Sequence, residues 1–298
     1  MVYSLLKLKV IPFKRTQKLK EIPQTKETPI AIIKPGLGLS VKLKELWDYR
    51  ELLYFFIWRD IKVRYKQTVI GAAWAVIQPF LAMVVFSIFF GKFAQIPSEG
   101  LPYPIFAYCA LVPWTYFANS LTNATNTMVA NQRVITKVYF PRLILPLSAV
   151  LSGLPDFLIS FSVLIAMMFF YGIYPTVNLV FLPLFTMMVI VTALAVGLWT
   201  SAANAIYRDV RYVVPFLVQF WLFASPVVYP SSLVPEKWRV LYGLNPMAGA
   251  IEGFRWALLG KGEPPGPMLL VSIFMVFLVL IGGVIYFRRM EGTIADVI

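Results

Sequence analysis

The chain has 298 residues, 59% of them hydrophobic and 14% charged, with a mean hydropathy of +0.74. That balance excludes a disordered chain and leaves too little polar surface for a water-soluble globule of this size, so the composition points to one polytopic membrane domain. The net charge of +13 is unevenly spread: fifteen of the 27 Lys and Arg residues lie between Lys7 and Lys66, ahead of the first long apolar run. This reads as membrane topology and attraction to anionic lipid, not as a nucleic-acid footprint.

In chain order, residues 1–40 combine six early basic residues with several prolines, and their apolar runs are too short for a signal peptide, so they read as a basic, partly disordered cytoplasmic tail. Residues 41–66 place Leu46, Leu53, Ile57, Ile61 and Tyr65 at helical spacing. The pattern predicts an amphipathic helix lying in the membrane interface, with Trp47 and Trp58 as anchors.

Six spans follow, at about 69–93, 103–129, 144–170, 180–204, 213–228 and 268–287. Each is long enough at ~1.5 Å per residue to approach or match a hydrocarbon core of ~30 Å. The segment between the fifth and sixth is too polar and too broken by proline and glycine for a single span. There, Pro235 to Tyr242 and Pro246 to Leu259 read as two short helices, with Asn245 as N-cap and Gly260 at the end. Glu252 and Arg255 fall three apart on one helix face, and the apolar remainder suits a pair dipping into the outer leaflet under a protein cover. An ordinary extracellular loop is the alternative.

The expected fold is therefore all-α: an interface helix at 41–66, a six-span domain over 67–290 with a loop at 131–143 and re-entrant helices at 231–262, and a C-terminal segment at 291–298. With six crossings, twenty-two basic residues fall on the side of both termini and five on the other. The bias predicts that both termini are cytoplasmic.

Within that frame the polar exceptions carry the functional information. The second span holds Tyr103, Tyr108, Trp114 and Tyr116, then Thr115, Asn119, Thr122, Asn123, Asn126 and Thr127 at three- and four-residue intervals. An uncharged polar stripe cannot face lipid, so it either hydrogen-bonds neighbouring helices or lines a wet path for a hydroxyl-rich, weakly charged substrate. Asp156, beside the helix-breaking Pro155, is the clearest acid at membrane depth; it either accepts the amides that the proline frees or serves function. Gln78 and Gln219 read as helix contacts. The loop Asn131 to Leu143 combines Arg133, Lys137 and Arg142 with apolar Val134, Ile135, Val138 and Phe140. That mixture suits docking to a cytoplasmic protein or rest on lipid headgroups.

No GxxxxGK[ST] loop, no histidine and no nucleophile paired with a base occurs, and the one cysteine, Cys109, sits in an apolar run. The expectation is a chain with no cofactor, metal site or catalytic centre of its own. If it drives transport, a partner supplies the energy.

Four stretches resemble a known family: FIWRDIKVRYKQTVIGAAWAVIQP from Phe56 to Pro79, YFPRLILPL from Tyr139 to Leu147, YRDVRYVVPFLVQFWLFASPVVYP from Tyr207 to Pro230, and LNPMAGAIEGFRWALLG from Leu244 to Gly260. In this order they resemble the membrane permease subunits of ABC-2 type polysaccharide exporters, most of all those for lipid-linked O-antigen. The resemblance implies a bacterial inner-membrane homodimer joined to two copies of an ATP-binding cassette subunit, which holds the ATP and Mg. It also implies a channel for an undecaprenyl-linked glycan, a gate role for the helix at 41–66, a coupling role for 131–143, and an exit position for the two short helices.

On that reading Tyr108, Trp114, Tyr116, Asn119 and Asn123 line the path, and Arg59, Arg64 and Lys66 lie near the lipid diphosphate. Val134, Lys137 and Tyr139 meet the ATPase, and Asn245, Glu252 and Arg255 belong to the exit helices. Teichoic acid, capsule, or a small lipid or drug are alternative cargoes. A membrane glycosyltransferase using Asp60 or Asp209, and a proton-coupled carrier using Asp156, are rival functions.

Overall fold

Apolar sequence in a medium without water must satisfy its backbone polar groups within each segment, which favours helices. Accordingly, the computed structural model, which describes residues 43–66, 71–260 and 266–297, contains only helices and their connections among the described residues. The expected tail at 1–40 lies outside the described residues.

Two helices, α1 (Leu43–Asp48) and α2 (Arg50–Lys66), occupy the interface-helix segment. Leu53, Ile57, Ile61 and Tyr65 are half-buried and Phe56 is buried, so the expected stripe is the packed face. The opposite face is not polar, however: Tyr54, Phe55, Trp58 and Val63 are exposed there. Apolar groups on all sides suit a helix with protein on one face and lipid on the other.

Next come α3 (Gly71–Phe86), α4 (Tyr103–Ala130), α5 (Gln132–Ile135), α6 (Ile144–Leu151), α7 (Leu154–Phe170), α8 (Leu182–Ile206), α9 (Val210–Ala224), α10 (Glu236–Tyr242), α11 (Pro246–Leu259) and α12 (Pro267–Val297). Prolines open α4, α7, α8 and α11 in their first turn, where the missing N–H costs nothing. The expected first span ends not in α-helix but in a π-helical stretch, Ser87–Phe93. The third is broken into α6 and α7 at Ser152 and Gly153, ahead of Pro155. The fifth stops at Ala224, before its expected end, because Ser225 to Val228 leaves the helix to meet α11.

Among the described residues, four segments are long and apolar enough to cross a membrane: 73–93, 144–170, 177–206 and 267–293. α4 has 28 residues, or about 42 Å at the standard rise, but its polar half lowers its hydropathy. α9, with 15 residues, is a shorter apolar helix.

α4 is the axis of the bundle, packed by α3, α6, α7, α8, α9 and α11. Small residues bring the helices close, as in other membrane bundles. A Cβ on Gly197 would approach Ala124 to 2.9 Å, and Gly282 and Gly283 make room for Trp199, whose indole stacks on Tyr286 at 4.8 Å and donates to the Val279 carbonyl. The tightest approach is that of α11 to α8. A Cβ on Gly253 would fall 2.2 Å from the Phe185 ring, so only glycine permits α11 to lie where it does.

Gly253→Ala should therefore destabilise the bundle by ~1–3 kcal/mol, the usual cost of overpacking. Trimming the opposing ring by Phe185→Leu should shrink that cost, since the two side chains compete for one space. Thermal unfolding in detergent of the two single variants and the double variant measures both; additive losses would show that the contact is not the cause.

Candidate functional site

The polar residues of α4 divide into two sets by where the neighbouring helices fall. One set is consumed between helices. Thr125 and Thr200 share a hydroxyl hydrogen bond of 2.7 Å, and the Asn204 amide donates to the Thr125 carbonyl at 2.9 Å and to the Asn126 side-chain oxygen at 3.4 Å. The other set remains on the surface. Asn119 and Asn123, one turn apart, are exposed, with Thr115 half-buried a turn before them.

Tyr108, Trp114 and Tyr116 are enclosed by the chain's own helices at 0%, 3% and 5% exposure. The Tyr108 hydroxyl donates to the Ser160 carbonyl at 3.4 Å, Tyr116 donates to the Val150 carbonyl at 3.0 Å, and Trp114 packs on Phe117. Of the five expected path residues, the structure brings Asn119 and Asn123 together on an open face and turns the three aromatic ones inward, with Tyr116 also lining the cavity beside Asn119. Helical spacing could not separate these sets, because α4 is covered on most of its circumference and the covering helices are distant in sequence.

Beside Asn119 lies a cavity of about 340 Å³ between the end of α2, the start of α3, the middle of α4 and the α6–α7 break. Its wall includes Trp74 and Gln78, one turn apart on α3, and Ser120 on α4. Arg64 and Asp156 close one end. Both Arg64 and Tyr65 donate to the Asp156 carboxylate, and Arg64 also reaches toward the Ser152 carbonyl at 3.5 Å. Thus the expectation that Asp156 accepts amides freed by Pro155 gives way to a different pairing: both carboxylate oxygens are taken by α2. That partnership, 91 and 92 residues apart, left no local mark in the sequence.

The basic residues at this end have different surroundings. Arg59 pairs with Asp60 at 2.7 Å and lies 4.7 Å above the Phe56 ring, while Lys66 is exposed. At the other end of the same helix pair, Phe56 packs on Phe140 with ring centroids 5.7 Å apart, and the Tyr139 hydroxyl meets the Glu45 carboxylate at 3.4 Å. Partial burial and the Glu45 carboxylate raise the Tyr139 phenol above its ordinary pKa.

Residues 131–143 thus rest on α2 through Phe140, and on the end of α12 through Arg142, which donates to the Glu291 carbonyl. Val134 is half-buried; Lys137, Val138 and Tyr139 project outward.

The third constellation is at α11. Asn245 is its N-cap, accepting from the Met247 amide at 3.1 Å, and also accepts from the Trp221 indole at 2.9 Å and donates to Ser225 Oγ at 2.9 Å. Arg255, 2% exposed, pairs with Glu252 at 3.0 Å, donates to the Val227 carbonyl at 2.8 Å and stacks 3.6 Å from the centre of the Phe106 ring. Glu252 in turn accepts from the Ser231 amide at 3.1 Å. The three expected exit residues therefore all fasten the connection after α9, Asn245 at its start and the Glu252–Arg255 pair further along it.

The pattern of the ABC-2 type transporter family matches residues 51–259. Among similar proteins, the O-antigen export system permease protein RfbA of Klebsiella pneumoniae is 30% identical over 264 residues, 87% of this chain and all of that protein. The polysialic acid transport protein KpsM of Escherichia coli is 22% identical over 244 residues, 80% of this chain and 93% of that one. The inner membrane transport permease YadH of Escherichia coli K12 is 24% identical over 249 residues, 81% of this chain and 90% of that one.

Because Asp156 is the acceptor for two residues of α2, Asp156→Asn should loosen the end of that helix without unfolding the bundle. The pair is partly exposed, so the loss should be about 1–2 kcal/mol, or roughly a tenfold rise in local opening, and not the larger cost of a fully buried ion. Hydrogen–deuterium exchange of the 56–66 peptide reads this out. Arg64→Met should cost less in the Asp156→Asn background than in the wild-type chain, since the ion pair is already gone there.

Proposed function

The chain belongs to the ABC-2 type transporter family and is a transporter membrane subunit with several apolar helices in the inner membrane; from that premise we propose that it is the channel-forming permease of an ATP-driven exporter of an undecaprenyl-linked, O-antigen type polysaccharide. The observation that carries this reading is the open amide face of α4. Asn119 and Asn123 stand exposed midway along a helix of membrane-crossing length. Amides at that depth call for water or a polar cargo. Amide groups both donate and accept, as sugar hydroxyls do. The relatives named for O-antigen and for polysialic acid are consistent with a sugar polymer as cargo.

The proposal includes six crossings with both termini cytoplasmic, α10 and α11 as re-entrant helices at the exit, and a second copy of the chain. α3 and α9 both flank α4 and carry exposed apolar residues, among them Leu81, Val85, Phe216 and Phe220. A second copy meeting these flanks would enclose the amide face between the two protomers. Energy comes from two ATP-binding cassette subunits docked on Lys137, Val138 and Tyr139, with ATP and Mg held in those partners. The diphosphate of the lipid carrier meets the basic end of α2, where Lys66 is exposed and where Arg59 and Arg64 already face carboxylates.

Depleting this chain should remove glycan from the cell surface and leave lipid-linked glycan inside. The wild-type gene should restore export, and Asn119→Leu with Asn123→Leu should reduce it at least tenfold at an unchanged membrane level of the protein. Accumulation of a small lipid or drug in place of glycan, or unchanged surface glycan, would overturn the reading.

A further inference from the structure

We propose that the cavity beside α4 is a saccharide subsite, which holds one sugar ring between the Trp74 indole and the amides of Gln78 and Asn119. The inference rests on the glycan-export reading above and names a position within it. The cavity, at about 340 Å³, falls in the range of small-ligand sites, about 300–1,000 Å³. Its wall is mixed in the way a sugar requires. Trp74 is 58% exposed and offers an aromatic face to the apolar C–H side of a pyranose ring. Gln78 and Asn119 supply paired donors and acceptors from two different helices. Ser120, 1% exposed, brings a hydroxyl to the same wall beside Tyr116.

Charge decides between a sugar and a phosphate. Arg64 is ion-paired with Asp156 at the end of the cavity, so the wall is close to neutral. A diphosphate would bring negative charge to a site whose cation is already countered, midway along a membrane-crossing helix, where uncompensated charge is costly. A neutral ring brings none, and its hydroxyls can share the outer edges of both charged groups. Arg64 is then a wall of the sugar site, and the diphosphate at the basic end of α2 falls to the exposed Lys66 and to Arg59. The cavity also adjoins the clamp that holds α2, so a ring seated there would touch the same Asp156 that Arg64 and Tyr65 use.

Substituted-cysteine protection tests this in inverted membrane vesicles holding the full chain with its ATPase partner. Cys109, at 0% exposure, is the chain's one cysteine and is removed by Cys109→Ser. Gln78→Cys and Asn119→Cys report the cavity; Asn123→Cys, a turn further along α4 and outside the cavity wall, reports the general path. The reagent is a charged methanethiosulfonate, and the probes are repeat-unit oligosaccharide released from the host's own surface glycan and inorganic pyrophosphate. The oligosaccharide should slow modification at positions 78 and 119 at least fivefold and at 123 less than twofold, and pyrophosphate should protect neither. Trp74→Leu should abolish the protection and Trp74→Tyr should keep it.

Equal protection at 123, protection by pyrophosphate instead, no protection, or a failure of positions 78 and 119 to react would each overturn the subsite. If surface glycan still depends on the chain in that event, the subsite alone falls. If it does not, the export reading falls with it.

Discussion

Hydrocarbon offers no hydrogen bonds, so every amide or hydroxyl carried to membrane depth must be answered by protein or by water. The bundle is organised around that constraint on one helix. On the side of α4 that meets α8, Thr125, Thr200, Asn126 and Asn204 answer one another, and Gly197 against Ala124 lets the backbones approach closely enough for them to do so. On the open side, Asn119 and Asn123 are left for something outside the chain. Helix glue is therefore realised at one set of residues, while a second set on the same helix is left open for the proposed path. What assigns a residue to one or the other is the position of a helix far away in sequence.

The same dependence on distant partners gives the interface segment its place. Seen alone, α2 is a mostly apolar helix with basic and acidic residues scattered along it. In the fold it is a strut fixed at two places: Phe56 on Phe140 at one, where Glu45 of the preceding α1 also comes near Tyr139, and Arg64 and Tyr65 on Asp156 at the other. The loop at 131–143 and the cavity beside Asn119 are thereby joined through a single helix. In the proposed transport cycle, a partner that presses on Lys137 to Tyr139 has a mechanical route to the α6–α7 break along α2, through the buried Phe56–Phe140 contact.

The elements themselves were legible in the sequence. Length and apolarity located most helix positions to within a few residues, and proline and glycine located the boundaries of α11, where Pro246 and Gly260 occupy the positions that their backbone constraints favour. Asn245 was legible as a cap because capping is a local hydrogen bond, made here to Met247 two residues on. The candidate site was less so. The outward direction of Asn119 and the inward direction of Tyr108, Trp114 and Tyr116 depend on which sides of α4 are covered. The Asp156 pairing depends on a helix more than ninety residues earlier, and the cavity's Trp74 and Gln78 belong to a span that otherwise reads as plain membrane helix. Periodicity reports a face, and only packing says what that face meets.

The two ends of the fold are held by ionic contacts of different kinds, and the difference bears on which end moves. Arg255 is sealed at 2% exposure, with Glu252, the Val227 carbonyl and the Phe106 ring around it. Removing one partner from so buried a pair leaves an uncompensated charge, at a cost of about 3–5 kcal/mol, so the contact is either intact or broken at large expense. Arg64 and Asp156 are 29% and 24% exposed, where water can replace a lost partner and the contact is worth a fraction of that. A structure that opens under the force of a docked partner will yield at its weakest fastening. By that comparison the α2–α7 contact beside the cavity costs less to open than the α11 contact, and in the proposed transport cycle it would yield first.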